Sequence, residues 1–278
     1  MSEFDDIVRI THGQAELTDG WVIGEAVNGG IVMSLVTQAA TEALAAAGSH
    51  TDLVAFSTTF LATSQPGTVD LETTILRTGR SFSTAEVTMS QAGKVCVRHT
   101  ATFADLDANS APIHREEVPP ALPDPDQCAP ALRMGFAEKI AILDRVDIRI
   151  DPATAGWAIG QPARDGEMRA WIRFKDGREP DVASLPFFLD ALPPVTMTFG
   201  AMGWAPTIAF SGHIRSRPVP GWLRMRITTN NVIGGLFEED AIIWDSRGRV
   251  VAQSRQLAGV RMPPAPHSAP VPSASETV

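Results

Sequence analysis

The chain has 278 residues, of which 44% are hydrophobic and 20% charged, with 22 glycines, 21 prolines and two cysteines. This composition excludes a disordered, collagen-like or disulfide-stapled chain, and Cys96 and Cys128 are too few for a four-cysteine zinc site. The formal net charge of −9 excludes a basic nucleic-acid footprint over the whole chain.

The start, Met1-Ser2-Glu3-Phe4-Asp5-Asp6, is acidic and does not read as a secretory signal. No run of 18 apolar residues is present, so no membrane span is expected and a cytoplasmic location follows as the default. The first helix is predicted from about Asn28, a capping residue, to Ala47, with Gly48 as its stop. Between Ile31 and Ala47 its only charge is Glu42, and apolar residues occupy nearly all sides. Such a helix is normally buried, for example inside a wrapped sheet.

Strands follow over 54–62, 69–75, 84–90 and 94–103, the last two joined by the hairpin turn Gln91-Ala92-Gly93. Residues 105–130 break the pattern with six prolines among acids, which reads as a linker or extended crossover. A strand at 168–174 precedes a predicted helix at 184–192. That helix has Pro186 in its first turn and Pro193-Pro194 as its stop or kink. Strands resume at 207–217, 222–229, 237–244 and 249–261, with a hairpin turn at Asp245-Ser246-Arg247-Gly248. The Pro- and Ser-rich tail after Pro263 is expected to be disordered.

The two strand blocks repeat. Gly67, Val69, Leu71, Thr73 and Phe82 match Gly221, Leu223, Met225, Ile227 and Leu236 at one offset; Gly93 and Val95 match Gly248 and Val250 with one residue of slippage. Each copy is a helix followed by a strand meander. A helix embraced by a curved antiparallel sheet is the hotdog unit, so the expected fold is α+β. It is a double hotdog, two tandem units forming one continuous curved sheet around two central helices. The expected boundaries are 1–110 for the first unit, 111–135 for the crossover, 136–262 for the second unit and 263–278 for the tail.

Specific segments resemble acyl-CoA thioesterase II-like proteins over roughly residues 15–262. Val250-Val-Ala-Gln-Ser-Arg-Gln-Leu-Ala-Gly-Val-Arg261, after Trp244-Asp-Ser-Arg-Gly-Arg249, is similar to their closing hairpin. Phe188-Leu-Asp-Ala-Leu-Pro-Pro194 resembles their second helix, residues 206–218 the strand after it, and Asn28-Gly-Gly-Ile31 the start of their first helix. The resemblance implies acyl-CoA hydrolysis to a carboxylic acid and coenzyme A. Water is then oriented by an Asp, a Thr and a Gln that fall on Asp190, Thr207 and Gln256. No cofactor or metal is implied, because coenzyme A is part of the substrate. The family strand often carries an acid two residues after the Thr; here that position is Ala209.

The residue types suit this chemistry. Asp190 is the only polar side chain between Leu185 and Val195, and desolvation would make it a stronger base; an Asp capping a local backbone N–H is the plainer alternative. Thr207 can bond the water, or is simply a strand threonine. Gln256 can accept from water and donate to a carbonyl, or is a polar residue at a ladder edge. Asn28, Gly29 and Gly30 open a helix, where a ligand can approach closely and free N–H groups can polarise a carbonyl, or where they merely cap and pack the helix. Residues 201–261 hold eight Arg and four acids, and Arg215 and Arg217 are candidates for coenzyme A phosphates, as are Arg224 and Arg226; a solvated outer face is the alternative.

Strand alternation raises a conflict. Thr207 shares a face with Ala209, Ser211 and His213, opposite Ile208, Phe210 and Ile214, so it points away from the helix unless a bulge intervenes. Two other activities compete: a non-catalytic acyl-CoA or acyl-lipid binding module, motivated by Ala209, and an acyl-CoA hydratase, for which no convincing Asp–His pair is present. The partners expected are an acyl-CoA, no nucleic acid, and a second copy of the chain in a homodimer or higher homo-oligomer, since sheet edges favour pairing.

Overall fold

The computed structural model describes residues 2–107, 115–131, 140–203 and 205–261. In chain order these form α1 (Glu3–Ile7), β1 (Gln14–Leu17), β2 (Val22–Ile23), β3 (Ala26–Val27), α2 (Gly29–Ala46), β4 (Asp52–Phe60), β5 (Gly67–Arg77), β6 (Ser83–Gln91), β7 (Lys94–Ala104), β8 (Ala129–Pro130), β9 (Val146–Ile150) and β10 (Glu167–Phe174). They continue with α3 (Leu185–Phe188), β11 (Thr207–Ile214), β12 (Leu223–Thr228), β13 (Val232–Ile233), β14 (Leu236–Trp244) and β15 (Val250–Gly259). The tail expected to be disordered lies outside the described residues, as do parts of the crossover.

Helix α2 forms as its sequence dictates. The Asn28 side chain accepts the Ile31 N–H at 3.1 Å, and Gly48, at φ +65°, follows the last turn. Ile31, Val32, Met33, Leu35, Val36, Ala39, Ala40 and Leu44 are all buried, which is the fate of a helix without a polar face. The sheet wraps it. Thirteen strands run in the order β1-β5-β6-β7-β4-β11-β15-β14-β12-β10-β9-β8, with β13 beside β14. The first half, β1-β5-β6-β7-β4, meets its mirror order, β11-β15-β14-β12-β10, along the antiparallel β4–β11 seam. Ser57 faces Ser211 there, and Phe56 stacks on Phe210 with ring centroids 5.9 Å apart. The sheet is continuous, as the repeat in the sequence implies: a double hotdog.

The second helix departs from expectation. Only Leu185–Phe188 is α-helical, and a 3-10 turn, Val195–Phe199, follows after a break. Pro193 excludes Leu192 from helical geometry, and the residues before it tighten into i−3 bonds (Asp190 N–H to Phe187 O at 3.1 Å, Ala191 N–H to Phe188 O at 3.3 Å), so the helix ends short of the expected Leu192. What remains is held by aromatic packing. Phe187 stacks on Phe174 at 5.7 Å and meets Trp21 edge-on at 5.4 Å, while Phe188 lies 4.7 Å from Phe174. Full burial of each such ring contributes roughly 1.5–3 kcal/mol.

The Pro-rich crossover is an ordered strap where it is described. Trp244 Nε1 donates to Glu117 O at 2.8 Å, Trp171 Nε1 to Pro123 O at 2.8 Å and Arg224 Nη1 to Pro120 O at 3.0 Å. Arg226 pairs with Glu117, and the Arg224 guanidinium stacks on Trp171 at 4.4 Å. Arg224 and Arg226 are thus committed to the strap rather than open to a phosphate. Both cysteines are free and buried. Among the described residues, no helix is long and apolar enough to cross a membrane.

Candidate active site

The break after α3 positions Asp190. Its carboxylate turns across to the start of α2, where Oδ2 accepts the Gly30 N–H at 2.8 Å and the Asn28 Nδ2 at 3.3 Å. Asn28 Nδ2 also donates to the Asp190 carbonyl at 3.1 Å. One asparagine therefore caps the first unit's helix and clamps the second unit's carboxylate. The plainer reading of Asp190, a cap near Pro193-Pro194, is half right: it does bind a helix-start N–H, but in the other unit.

The two glycines serve this contact. A Cβ at Gly30 would lie 2.7 Å from Phe187 O, and one at Gly29 would lie 2.9 Å from Asp190 Oδ2. Their bareness admits protein, which is the packing alternative raised from the sequence rather than room for ligand. The Gly30 N–H is occupied, whereas the Gly29 N–H has no hydrogen bond among the described residues, and Gly29 lines the cavity. Burial pushes the Asp190 carboxyl up to about 7, although the Gly30 N–H and the Asn28 amide pull it down. Asp190 Oδ1 carries no hydrogen bond among the described residues and remains available.

A bulge resolves the conflict over Thr207. The β11–β15 register shifts between Thr207 and Ala209, so Thr207 faces Ala258 while Ala209 faces Leu257. Phe210, Gly212 and Ile214 then point into the core, and Ile208, expected there too, is 41% exposed. The shift turns Thr207 inward, where its Oγ1 donates to Gln256 Oε1 at 2.7 Å. Ala209 is exposed and does not line the cavity, so the missing acid at that position leaves the cavity unchanged.

An acid is present elsewhere. Glu239 on β14 is buried and lines the same cavity. Its Oε1 accepts Gln256 Nε2 at 2.7 Å and its Oε2 the Val195 N–H at 2.8 Å. Burial raises its pKa to about 7, those two donors lower it, and the Asp190 charge raises it further. Glu239 was not among the residues singled out from the sequence, yet its signal is there. It alternates with Phe237, Ala241 and Ile243, all inward on β14, so strand periodicity alone puts this acid inside.

Asp190, Thr207, Gln256, Asn28 and Gly29 thus line one cavity of about 630 Å³, with Gly30 directly behind. Its remaining wall is largely apolar, including Ile142, Leu143, Trp157, Met197 and Phe237. Arg215 and Arg217 are not brought to it. They follow the far end of β11, and Arg217 pairs there with Asp52 at 2.6 Å and Asp107 at 3.4 Å. Among the histidines, His99 is buried between Thr37 Oγ1 (3.2 Å) and Thr58 Oγ1 (2.8 Å), and burial lowers its pKa to about 3. No cluster of metal-binding side chains is found among the described residues.

Fold and cavity together define a double hotdog protein with one polar site between its halves. The chain belongs to the acyl-CoA thioesterase family: the family's N-terminal domain matches residues 17–104 and its C-terminal domain residues 119–260. The chain is 32% identical to a provisionally assigned thioesterase II of Thermobifida fusca, whose structure superposes with a TM-score of 0.83 over 94% of this chain and 98% of that one. An uncharacterized protein of Mycobacterium tuberculosis is 31% identical over 265 residues, 89% of this chain and 90% of its own length. A hotdog-fold protein of unknown function from Alicyclobacillus acidocaldarius shares the fold, with a TM-score of 0.81 at 20% identity over 95% of this chain and 99% of that one. Family membership supports thioesterase activity in general.

Proposed function

We propose that the protein hydrolyses acyl-CoA thioesters to a carboxylic acid and coenzyme A, using Asp190 as general base and Thr207 and Gln256 to orient water. The observation that carries this is the convergence of the three side chains, from three separate elements, on one largely apolar cavity. Such a wall suits an acyl chain.

Asp190 has one oxygen anchored and the other free, which suits a base that must hold still while it takes a proton. Its raised pKa strengthens it as an acceptor near neutral pH. Thr207 spends its own proton on Gln256, so its oxygen can accept a hydrogen from the water. With one hydrogen accepted by Thr207 and the other by Asp190, the water presents a lone pair to the thioester carbonyl carbon. The new C–O bond forms as Asp190 takes the proton, and the carbonyl oxygen becomes an oxyanion. The Gly29 N–H at the start of α2 is the donor proposed for it. Collapse breaks the C–S bond, and the departing thiolate of coenzyme A receives the proton. No covalent enzyme intermediate is required.

The test is thiol release from acyl-CoA esters of increasing chain length. Wild type is expected to release coenzyme A, and Asp190→Asn to lower kcat by about 10²–10⁴-fold, the range for a general base. Equal turnover by the variant would refute the assignment. Binding of coenzyme A without release from any ester would leave a binding protein on the same fold.

A further inference from the structure

Glu239 has no part in the water-activating trio, yet it is buried in the same cavity wall and bonded to one of the three. We propose that Glu239 is a positioning residue that fixes which way the Gln256 amide faces, and thereby sets Thr207 as a hydrogen-bond acceptor toward water. The inference rests on the function proposed above.

The Val195 N–H can only donate, and it occupies Glu239 Oε2 at 2.8 Å. With Glu239 ionised, the other carboxyl oxygen, Oε1, has no proton to give; it faces Gln256 and takes a donor at 2.7 Å, so the amide nitrogen points to Glu239. The amide oxygen must then point to Thr207, whose hydroxyl donates to it at 2.7 Å. A hydroxyl has one proton and two lone pairs, so Thr207 is left with acceptor capacity alone on its cavity side. An amide is nearly symmetric in shape, and nothing but its partners decides its orientation. Were Gln256 reversed, its nitrogen would face Thr207. The threonine proton would then turn into the cavity and bond the lone pair that the water needs for attack.

Glu239→Gln reverses the chain of bonds at constant shape. The Val195 N–H claims the new amide oxygen, and the new NH₂ faces Gln256 and claims its oxygen. Gln256 must flip, and Thr207 becomes the acceptor of its nitrogen. Every polar group stays satisfied, so the fold is retained, but the polarity at the water is inverted. Combining Glu239→Gln with Gln256→Glu restores it: the carboxylate now at position 256 accepts from both the new amide at position 239 and the Thr207 hydroxyl, and the number of charges is unchanged.

The experiment measures kcat and KM for thiol release by four proteins: wild type, E239Q, Q256E and the double variant. E239Q is expected to lose about 10²-fold in kcat, the scale of a misoriented reacting group, with KM nearly unchanged and an unaltered far-UV spectrum. Q256E alone sets two carboxyls against each other and is expected to be impaired. The double variant is expected to recover most of the lost kcat, which a merely structural role for Glu239 would not produce. Wild-type kcat in E239Q overturns the proposal, and so does a double variant no faster than E239Q. Asp190→Asn separates the two failures. If it turns over normally, the site assignment falls. If it is inactive while E239Q is not, only the role of Glu239 falls.

Discussion

The two halves share a backbone but not a chemistry. Both carry the same bulge, between Leu53 and Ala55 in β4 and between Thr207 and Ala209 in β11. Through the pairings around it, Thr207 corresponds to Leu53, Gln256 to Ala101 and Glu239 to Ala85. The first half fills those places with buried apolar side chains under an intact 18-residue helix. The second half puts a hydroxyl, an amide and a carboxyl there, beside a helix broken by Pro193-Pro194. The bulge is thus a property of the fold, and only its occupant makes a site. The break matters as well, because it lets Asp190 turn its side chain across to α2.

The outer faces differ in the same way. Arg224, Arg226 and Trp244 on the second half hold a strap containing Glu116 and Glu117. The matching places on the first half are Asp70, Glu72 and Ser90, which would repel an acidic strap. The described part of the crossover therefore lies on the second half's face.

The largest effect that would break this comparison is the loss of turnover in Asp190→Asn described above. Next comes an attempt to make the first half resemble the second. Leu53→Thr with Ala101→Gln should destabilise by about 2–5 kcal/mol without adding hydrolysis, since it removes a buried side chain and inserts polar atoms where α2 already packs. Urea denaturation read together with thiol release would check it, and an undiminished midpoint would show that this half has slack.

Titration sharpens the contrast further. Asp190 and Glu239 have folded pKa values near 7 against about 4 for free carboxyls, so the folded protein retains their protons where the unfolded chain has lost them. Their contribution to stability is present below about pH 4 and is lost as pH rises to about 7. Turnover needs Asp190 ionised as the base and Glu239 ionised to hold the Gln256 amide, so kcat should rise over the range in which this stability is lost. Asp190→Asn is expected to melt higher than wild type at pH 8, with a smaller gain at pH 5. In the first half His99 runs the other way. Held neutral with a pKa near 3, it contributes stability above about pH 6.5 that is lost as pH falls toward 3. His99→Gln should weaken that acid dependence in thermal melts across pH.

The smallest effect expected is at the strap. Arg224→Leu removes the stack on Trp171 and one bond to the strap, at a cost of about 1 kcal/mol. Faster amide exchange around residues 117–123 with unchanged kcat would confirm that the strap is scaffolding.

Much of this was legible in the chain itself. The mostly apolar run from Ile31 determined a buried helix, alternation determined the strands, and the repeat, with one residue of slippage, determined two joined units. Local chemistry also marked Asn28 as a cap and Pro193-Pro194 as a break. Other features depended on contacts between residues far apart in the chain. Alternation placed Thr207 outward, because a bulge is set by pairing with β15 and leaves little trace in its own strand. Asp190 finds its partners 160 residues away at the start of α2, so no local pattern could reveal them. The arginine rows read as a solvated face or as phosphate ligands until the fold gave Arg217 to Asp52 and Arg224 to the strap. Sequence determines which side chains are available and which face of an element they share. Tertiary structure decides which of them meet, because hydrogen bonds and ion pairs act over only a few ångströms and the chain must first bring their partners together.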